Sequence, residues 1–187
     1  YYDRAATGNI RIVKTDAVDG SSLAGAIFEI RASGDIVRPD GSIAALDGET
    51  VATVTTDETG EARADNLPLG SGTARYEVVE TQAPAGFLLD QTTHIVDLTY
   101  ADQKTPVVEA RLNVSDDYTK VDISKVDASG EQEVEGARLT LYGPDKTEID
   151  SWTSSDKPHR VEHLAPGTYS LREMMSPRTY DLAEEIT

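Results

Sequence analysis

Ile10-Arg11-Ile12-Val13-Lys14 is the stretch of sequence on which the fold assignment rests, because its short alternating run is typical of a β-strand with one buried face. Residues two apart in a strand point to the same face, so Lys14 falls on the face of Ile10 and Ile12. A buried charge is costly unless it is paired, neutralised or reactive. The run therefore predicts a lysine held inside a β-sheet, where it needs a partner.

A candidate partner for this lysine lies in a later alternating run, residues 76–80, which read Tyr-Glu-Val-Val-Glu. Glu80 falls on the face of Tyr76 and Val78 by the same rule. Two opposite charges that both point into a core can neutralise each other, and such pairs are common at reactive sites. The pattern therefore predicts a buried lysine–glutamate pair that could take part in a reaction.

The second half of the chain repeats this order of motifs. Lys125 ends the run 121–125, which reads Val-Asp-Ile-Ser-Lys, and Glu173 ends the run 169–173. Lys125 is therefore predicted to end a strand and to be buried and paired with Glu173, as Lys14 is with Glu80. Three further segments match in the same order: 23–28 with 134–139, 66–70 with 163–167, and 80–84 with 173–177. An ordered series of matches indicates an internal repeat. We therefore predict two modules, residues 1–117 and 118–187.

Each module is predicted to be a β-sandwich. Short runs rich in Thr, Val, Ile and Tyr alternate with Gly, Asp, Asn and Pro, while helical periodicity is weak. A turn is expected at 57–60, and the polar loop 34–48 could hold a short hairpin. Seven short strands in about a hundred residues indicate an all-β, immunoglobulin-like sandwich. The predicted strands are 9–15, 25–31, 50–56, 61–65, 73–81, 92–99 and 106–115.

Composition excludes several classes of function. The chain has 17 basic and 34 acidic residues, a formal net charge of −17, which repels nucleic acid and anionic membranes. It contains no cysteine, so neither disulfides nor thiolate metal sites are possible. No apolar run is long enough for a membrane helix, and the opening without Met or signal peptide is typical of a fragment of a longer protein.

Other candidate sites have weaker signals. His94, His159 and His163 are scattered, and for the last two we expect a surface loop and no metal site. Residues 16–20 hint at a calcium loop, but most of the ligand pattern is missing and a turn is expected instead. Trp152 lies in an alternating run and is expected to be half-buried in a strand. No hydrolase triad, phosphate loop or basic patch is present.

The quoted motifs resemble the Cna protein B-type domains, the SpaA-like, prealbumin-like modules of Gram-positive surface adhesins and pilins. The first repeat carries the resemblance in IRIVKTD, LAGAIFEI, TTDETGEARADNLPLG and YEVVETQAPAGF. The second repeat carries it in VDISKVD, VEGARLTLYG and LAPGTYSLRE. The resemblance covers nearly all of residues 8–187, and it implies tandem immunoglobulin-like sandwiches.

The resemblance also implies an isopeptide bond that the protein makes by itself, between a first-strand Lys and a last-strand Asn or Asp, promoted by a buried Glu. These roles fall on Lys14 as the nucleophile and Glu80 as the catalytic residue. Asp116 is the expected acceptor, because it shares the parity of Val114 and can face the core. Asn113 is the alternative acceptor, although its parity points outward unless a β-bulge intervenes.

The implied chemistry needs no cofactor. An apolar site favours a neutral amine that can attack and a protonated acceptor carboxyl, and Glu80 could relay the protons. The folded sheet would hold amine and carbonyl in contact, which supplies a high effective concentration. Water would leave if Asp116 is the acceptor, and ammonia if it is Asn113. The open alternative is a non-covalent buried ion cluster of Lys14, Glu80 and Asp116.

The second repeat is expected to be incomplete. Lys125 and Glu173 match the same two roles, but the strand that should carry the acceptor would follow Thr187, so its partner is expected to be absent from the chain. The second module should then have an exposed sheet edge. Either the chain stops before that strand, or this module accepts a strand from another chain and bonds to it.

The resemblance implies a structural function. We expect a stalk or backbone pair of modules from a cell-wall-anchored adhesin or pilin, located outside the cell at its surface. Its partners would be neighbouring modules of the same protein, with host matrix or cell-surface ligands contacted through other domains. The alternative is that these modules bind a host ligand themselves. A self-modification that happens once per molecule does not make the protein a turnover enzyme.

Overall fold

The strands of the chain are distributed over two units. The computed structural model describes residues 6–102, 104–105, 107–127, 129–130, 132–177 and 186. Contacts divide the chain into Tyr1–Asp117 and Tyr118–Thr187. Within the described ranges there is no helix, and so none that could span a membrane. The strands of the first unit are β1 (Thr7–Asp16), β2 (Ile27–Ala32), β3 (Ile36–Val37), β4 (Ile43–Ala45), β5 (Thr50–Thr55), β6 (Glu61–Pro68), β7 (Thr73–Gln82), β8 (Thr93–Thr99) and β9 (Val107–Asp116).

Two larger sheets and one short hairpin build the first unit. One has the order β6-β1-β9, and the other has the order β5-β2-β7-β8. β1 and β9 run parallel, with partners from Thr7 opposite Val107 to Asp16 opposite Asp116. β3 and β4 form the short hairpin expected in the loop 34–48. The sheets therefore bring the first and last strands of the unit side by side.

Alternation of side chains builds the core of the first unit. In β1 and β7, apolar residues at every second position are buried, as the sequence pattern predicts. Because both sheets contribute such faces, their buried sides form one apolar cluster. Its fully buried large side chains, apart from Lys14, are Tyr76, Phe28, Ile10, Ile12, Ile30, Leu67, Leu98 and Val78. Lys14 is thus a charged residue at a position that the pattern reserves for an apolar one.

Tyr76 ties β7 to the end of β6 through its hydroxyl. The side chain is fully buried, and its OH donates a hydrogen bond to the carbonyl of Pro68. Burial raises the pKa of Tyr76, so the hydroxyl stays protonated and remains a donor. The bond fixes the ring that lies two residues from Val78 and four from Glu80 on the same face.

We expect Tyr76→Phe to lower the free energy of unfolding by about 1 kcal/mol, since it leaves the partly buried Pro68 carbonyl without its donor. Denaturant unfolding, monitored by far-UV circular dichroism, measures the change in free energy. Tyr100→Phe is the matched control, because Tyr100 is exposed. Equal stability of the Tyr76→Phe and Tyr100→Phe proteins would contradict a structural role for the buried hydroxyl.

The second unit repeats part of this arrangement. Its strands are β10 (Lys120–Ile123), β11 (Arg138–Tyr142), β12 (Glu148–Thr153), β13 (His159–Glu162) and β14 (Ser170–Met175). One sheet pairs β10 with β13, and the other has the order β12-β11-β14. Among the described residues, the sheet of β10 contains no third strand, while Ile186 forms an isolated bridge with Leu171 beside β14.

The structure corrects the prediction that Lys125 ends a strand and is buried like Lys14. β10 ends at Ile123, and the Lys125 side chain is 21% exposed. The backbone N–H of Lys125 donates to the carboxylate of Glu133 at 3.1 Å, and Val126 forms only an isolated bridge with Glu133. Because a side chain takes the place of a strand partner here, the strand stops before the lysine.

Candidate functional site

Lys14, Glu80 and Asp116 meet inside the first unit. Their residues are 0%, 3% and 2% exposed, respectively. The Lys14 Nζ lies 2.9 Å from Oε1 of Glu80, and it donates a hydrogen bond to Oδ1 of Asp116. The three side chains that the sequence proposes as nucleophile, catalyst and acceptor are therefore in direct contact.

Strand pairing explains this meeting. Lys14 lies opposite Val114 in the parallel pair of β1 and β9. Asp116 is two residues further along β9 than Val114, so its side chain lies on the same face. Glu80 comes from β7 in the other sheet, where its cross-strand partner is Phe28 of β2. The site thus bridges both sheets, and any loss of their registry would separate its members.

Apolar surroundings shield the cluster from water. The Phe28 ring is fully buried, and its centroid lies 5.5 Å from the Lys14 Nζ. A cation near an aromatic face is attracted to the ring, but the ring offers no hydrogen bond. The lysine amine therefore contacts the carboxyl groups of Glu80 and Asp116 and lies close to the Phe28 ring.

The 57–60 turn holds the lysine backbone. The Lys14 N–H donates to the carbonyl of Gly60 at 2.8 Å, and the Lys14 carbonyl accepts from Leu23 N–H at 3.0 Å. Gly60 has φ of 75°, and a Cβ added there would lie 2.5 Å from the Lys14 carbonyl oxygen. Glycine is required at this position because the turn both needs a positive φ and approaches β1 closely.

Burial changes the acidity of both carboxyl groups. Desolvation raises the pKa of Glu80 above its ordinary value, although hydrogen bonds from Lys14 and from the Asp90 backbone oppose the shift. Desolvation likewise raises the pKa of Asp116, against the opposing hydrogen bond from Lys14. Both directions favour the protonated form, since a carboxylate loses its hydration when it is buried.

One carboxyl oxygen of Asp116 is buried without a hydrogen-bond partner among the described residues. Oδ1 accepts from Lys14, but the buried Oδ2 has no hydrogen-bond partner among the described residues. A buried polar atom of this kind costs free energy and is rare in folded proteins. The cluster therefore contains an acceptor carboxyl with one oxygen that the fold does not stabilise.

Asn113, the alternative acceptor, lies outside the cluster. It is exposed, and its Oδ1 accepts a hydrogen bond from Arg111 Nε at 3.1 Å. β9 pairs with β1 in continuous register, without a bulge that would turn Asn113 inward. The geometry therefore favours Asp116 over Asn113 as the partner of Lys14.

The second unit brings its lysine and glutamate together less closely. The Lys125 Nζ lies 3.8 Å from Oε1 of Glu173, and Glu173 is buried in β14. The predicted acceptor strand for Lys125 would follow residue 187 and so falls outside the described residues. The two units share the same pair of residue types, with the pair of the first unit more deeply buried.

The histidines differ from expectation in one case. His159 lies in β13 and not in a surface loop, stacked on Trp152 with ring centroids 4.2 Å apart and paired with Asp150 at 2.7 Å. A strand forms here because residues 159–162 pair with β10.

The other candidate sites agree with expectation. Trp152 is half-buried in β12, and the segment 17–19 forms a turn. Within the described part of the chain, no group of His, Cys, Asp and Glu could hold a metal ion.

Asp90 and His94 form a second layer beside the cluster that was not predicted from the sequence. Backbone N–H of Asp90 donates to Glu80 Oε2 at 2.7 Å, and the Asp90 carboxylate lies 2.7 Å from His94 Nε2. Asp90 Oδ1 also accepts from the Thr92 N–H at 2.9 Å. The Asp-x-Thr pattern, typical of a side-chain-closed turn, was the available signal.

Known proteins share the fold of both units. A family profile described as SpaA, prealbumin-like fold domain, matches residues 8–112 and 119–187. No curated protein matches the chain. These findings confirm the prediction of two tandem all-β modules of one fold.

The chain is similar to several solved structures, of which the first supports the fold. The Bacillus anthracis TIE protein has a TM-score of 0.54 and 24% identity, with 96% of this chain and 30% of that one covered. A streptococcal ancillary pilin has a TM-score of 0.44 and 23% identity, with 98% and 58% covered. The shaft pilin SpaA from Lactobacillus rhamnosus GG has a TM-score of 0.41 and 20% identity, with 96% and 92% covered. The chain thus spans less than two thirds of the first two proteins.

Proposed function

The chain belongs to the family of SpaA prealbumin-like fold domains, and from this premise we propose that it is a pair of structural stalk modules of a cell-surface pilin or adhesin, stiffened by a Lys14–Asp116 isopeptide bond. The pilin or adhesin role is proposed because the motifs of this chain resemble those of pilin and adhesin modules. The observation that carries the crosslink is the buried contact of Lys14 with Glu80 and Asp116.

The bond forms by condensation of an amine with a carboxylic acid. The lone pair of the neutral Lys14 Nζ attacks Cγ of protonated Asp116, so that a C–N bond forms as the carbonyl π bond opens. Glu80 takes a proton from the attacking nitrogen and returns it to the departing hydroxyl of Asp116. The C–O bond breaks, one water leaves, and the product is an amide with Glu80 restored to its starting protonation state.

The geometry supports each part of this step. Glu80 Oε1 lies 2.9 Å from the lysine nitrogen, within reach for proton transfer. Burial raises the pKa of Asp116 and so favours the protonated, electrophilic acid. The Asp116 Oδ2 has no hydrogen-bond partner among the described residues, and loss of one carboxyl oxygen as water would remove this cost. Contact in the folded state replaces a bimolecular encounter.

Intact-mass spectrometry of the purified 187-residue chain tests the proposal. We expect a mass lower than that of the sequence by one water, and a tryptic peptide pair joined through Lys14 and Asp116. Lys14→Met, Glu80→Gln and Asp116→Ala should each restore the full sequence mass of the variant. A wild-type chain at full sequence mass would contradict the crosslink and leave a non-covalent ion cluster.

Matched variants locate the bond. Lys125→Met should keep the loss of one water, because the Lys125 side chain is part of the second unit and lies 3.8 Å from Glu173. Asn113→Ala should keep it too, since Asn113 is exposed. A full sequence mass for Asn113→Ala would instead move the acceptor role from Asp116 to Asn113. Asp116→Asn can still react, but its mass loss should be that of ammonia.

A further inference from the structure

The turn that follows Glu80 holds one of its two carboxylate oxygens. Asp90 N–H donates to Glu80 Oε2 at 2.7 Å, which leaves Oε1 directed at the Lys14 Nζ. A carboxylate with one oxygen fixed by a backbone donor can rotate less, so the other oxygen keeps its position. The orientation of Glu80 toward the lysine therefore depends on the position of the Asp90 backbone.

The Asp90 side chain in turn fixes that backbone. Its Oδ1 accepts from Thr92 N–H at 2.9 Å, which closes the turn, and its Oδ2 lies 2.7 Å from His94 Nε2 at the start of β8. The Asp90 and His94 side chains are only 17% and 23% exposed. Each oxygen of Asp90 is thus engaged, and the turn is anchored to the strand that follows it.

Charge adds a second effect. The titratable groups that interact with Asp90 in the described part of the chain include His94 on β8, Glu80 on β7 and Asp116 on β9. Lys14 contacts the last two. Burial is the largest cause that raises the pKa of Asp116, and the negative charge of Asp90 raises it further. The pKa of Asp90 itself lies below its ordinary value, because hydrogen bonds from Thr92 and His94 outweigh its desolvation. Asp90 therefore stays ionised beside the cluster.

We infer that Asp90, anchored by His94, is a positioning residue for the crosslink: it aims Glu80 at Lys14 and places a negative charge beside the cluster. This inference rests on the proposed isopeptide function and adds to it a second layer of residues that set the rate of bond formation. Asp90 and His94 touch none of the reacting atoms of Lys14 and Asp116.

The rate of bond formation as a function of pH tests the inference. Chains purified in urea, and shown by mass to be unbonded, are diluted into refolding buffers and quenched at intervals for intact-mass analysis. Asp90→Asn keeps the shape and the acceptor for Thr92 but removes the charge. Asp116 should then ionise at lower pH, so the alkaline limb of the rate profile should move to lower pH and the reaction should be slower than wild type on that limb.

Two controls isolate the effect. Asp97→Asn removes an equal charge from an exposed aspartate that is bonded to Arg75 at 2.8 Å, and its rate profile should match the wild type. The Lys14→Met chain with and without Asp90→Asn measures folding stability where no bond can form. Asp90→Ala, which also opens the turn, should slow the reaction at every pH and not only on the alkaline limb.

The outcomes separate this inference from the proposed function. If the wild type loses one water and Asp90→Asn follows the same rate profile, the positioning role is overturned while the crosslink stands. Uniform slowing of Asp90→Asn without a moved limb, or slowing explained by lost stability in the Lys14→Met background, also overturns it. A wild-type chain that never loses water overturns the proposed function itself.

Discussion

Lys14→Met should lower the free energy of unfolding of the first unit by about 4–5 kcal/mol relative to the wild type. Lys14 and Asp116 are 102 positions apart in sequence, and a crosslink that closes a loop of about a hundred residues removes roughly this much conformational entropy from the unfolded chain in the loop-closure treatment of disulfides. Methionine is close to lysine in length and volume, so packing of the site changes little. Guanidinium unfolding measures the difference.

Two further variants show whether the lost stability comes from the bond. Glu80→Gln keeps the size of the side chain but cannot relay protons, so it should also leave the chain unbonded and show a comparable loss. Lys104→Met replaces the other lysine of the first unit, which is exposed, and should change stability by less than about 0.5 kcal/mol. A Lys14→Met chain as stable as the wild type would contradict a stabilising crosslink.

Phe28→Ala should be the most damaging substitution outside the three reacting residues. Phe28 is fully buried in β2, and its ring lies beside the Lys14 Nζ at 5.5 Å from the centroid. Truncation of a core phenylalanine costs about 3–5 kcal/mol, because packing is lost and a cavity remains. The same cavity would let water reach the amine and the carboxyls, which would weaken the burial that keeps Asp116 protonated.

Stability and reactivity can be measured separately for this site. In the Lys14→Met background, unfolding by denaturant gives the packing cost of Phe28→Ala without any bond. In the otherwise wild-type chain, mass after refolding gives the rate of bond formation, which should fall. Phe28→Leu is the matched control, and it should keep the bond at a cost below about 1.5 kcal/mol. Bond formation by Phe28→Ala at the wild-type rate would refute the role of the ring in excluding water.

Side-chain parity made much of the first site predictable. A period of two along strands whose apolar members are evident predicts that Lys14, Glu80 and Asp116 face the core, and this period holds wherever a strand is regular. Their roles in the crosslink were implied by the family resemblance. The same parity reasoning predicted that the Asn113 side chain points away from the core. The fold class was predictable for the same reason, since alternating runs and turn residues recur throughout both units.

Contacts made by loops and side chains were harder to predict. Lys125 has the pattern of Lys14, but β10 ends at Ile123 because Glu133 satisfies the lysine backbone with its side chain. Asp90 reaches Glu80 only through the path of a turn, and no periodicity encodes that path. Local hydrogen bonds from Asp and Glu to the backbone compete with strand pairing, and sequence spacing alone does not reveal which one is formed.

The parallel pairing of β1 and β9 over ten residues has a mechanical meaning. A pull on the start of β1 and the end of β9 acts at opposite ends of the pair, so the ladder is loaded in shear and its hydrogen bonds must fail together. A Lys14–Asp116 amide would sit at the far end of that ladder, where β9 leaves the unit. Force would then travel along residues 7–14 and across the amide, and the 101 residues between 14 and 116 would be spared any extension.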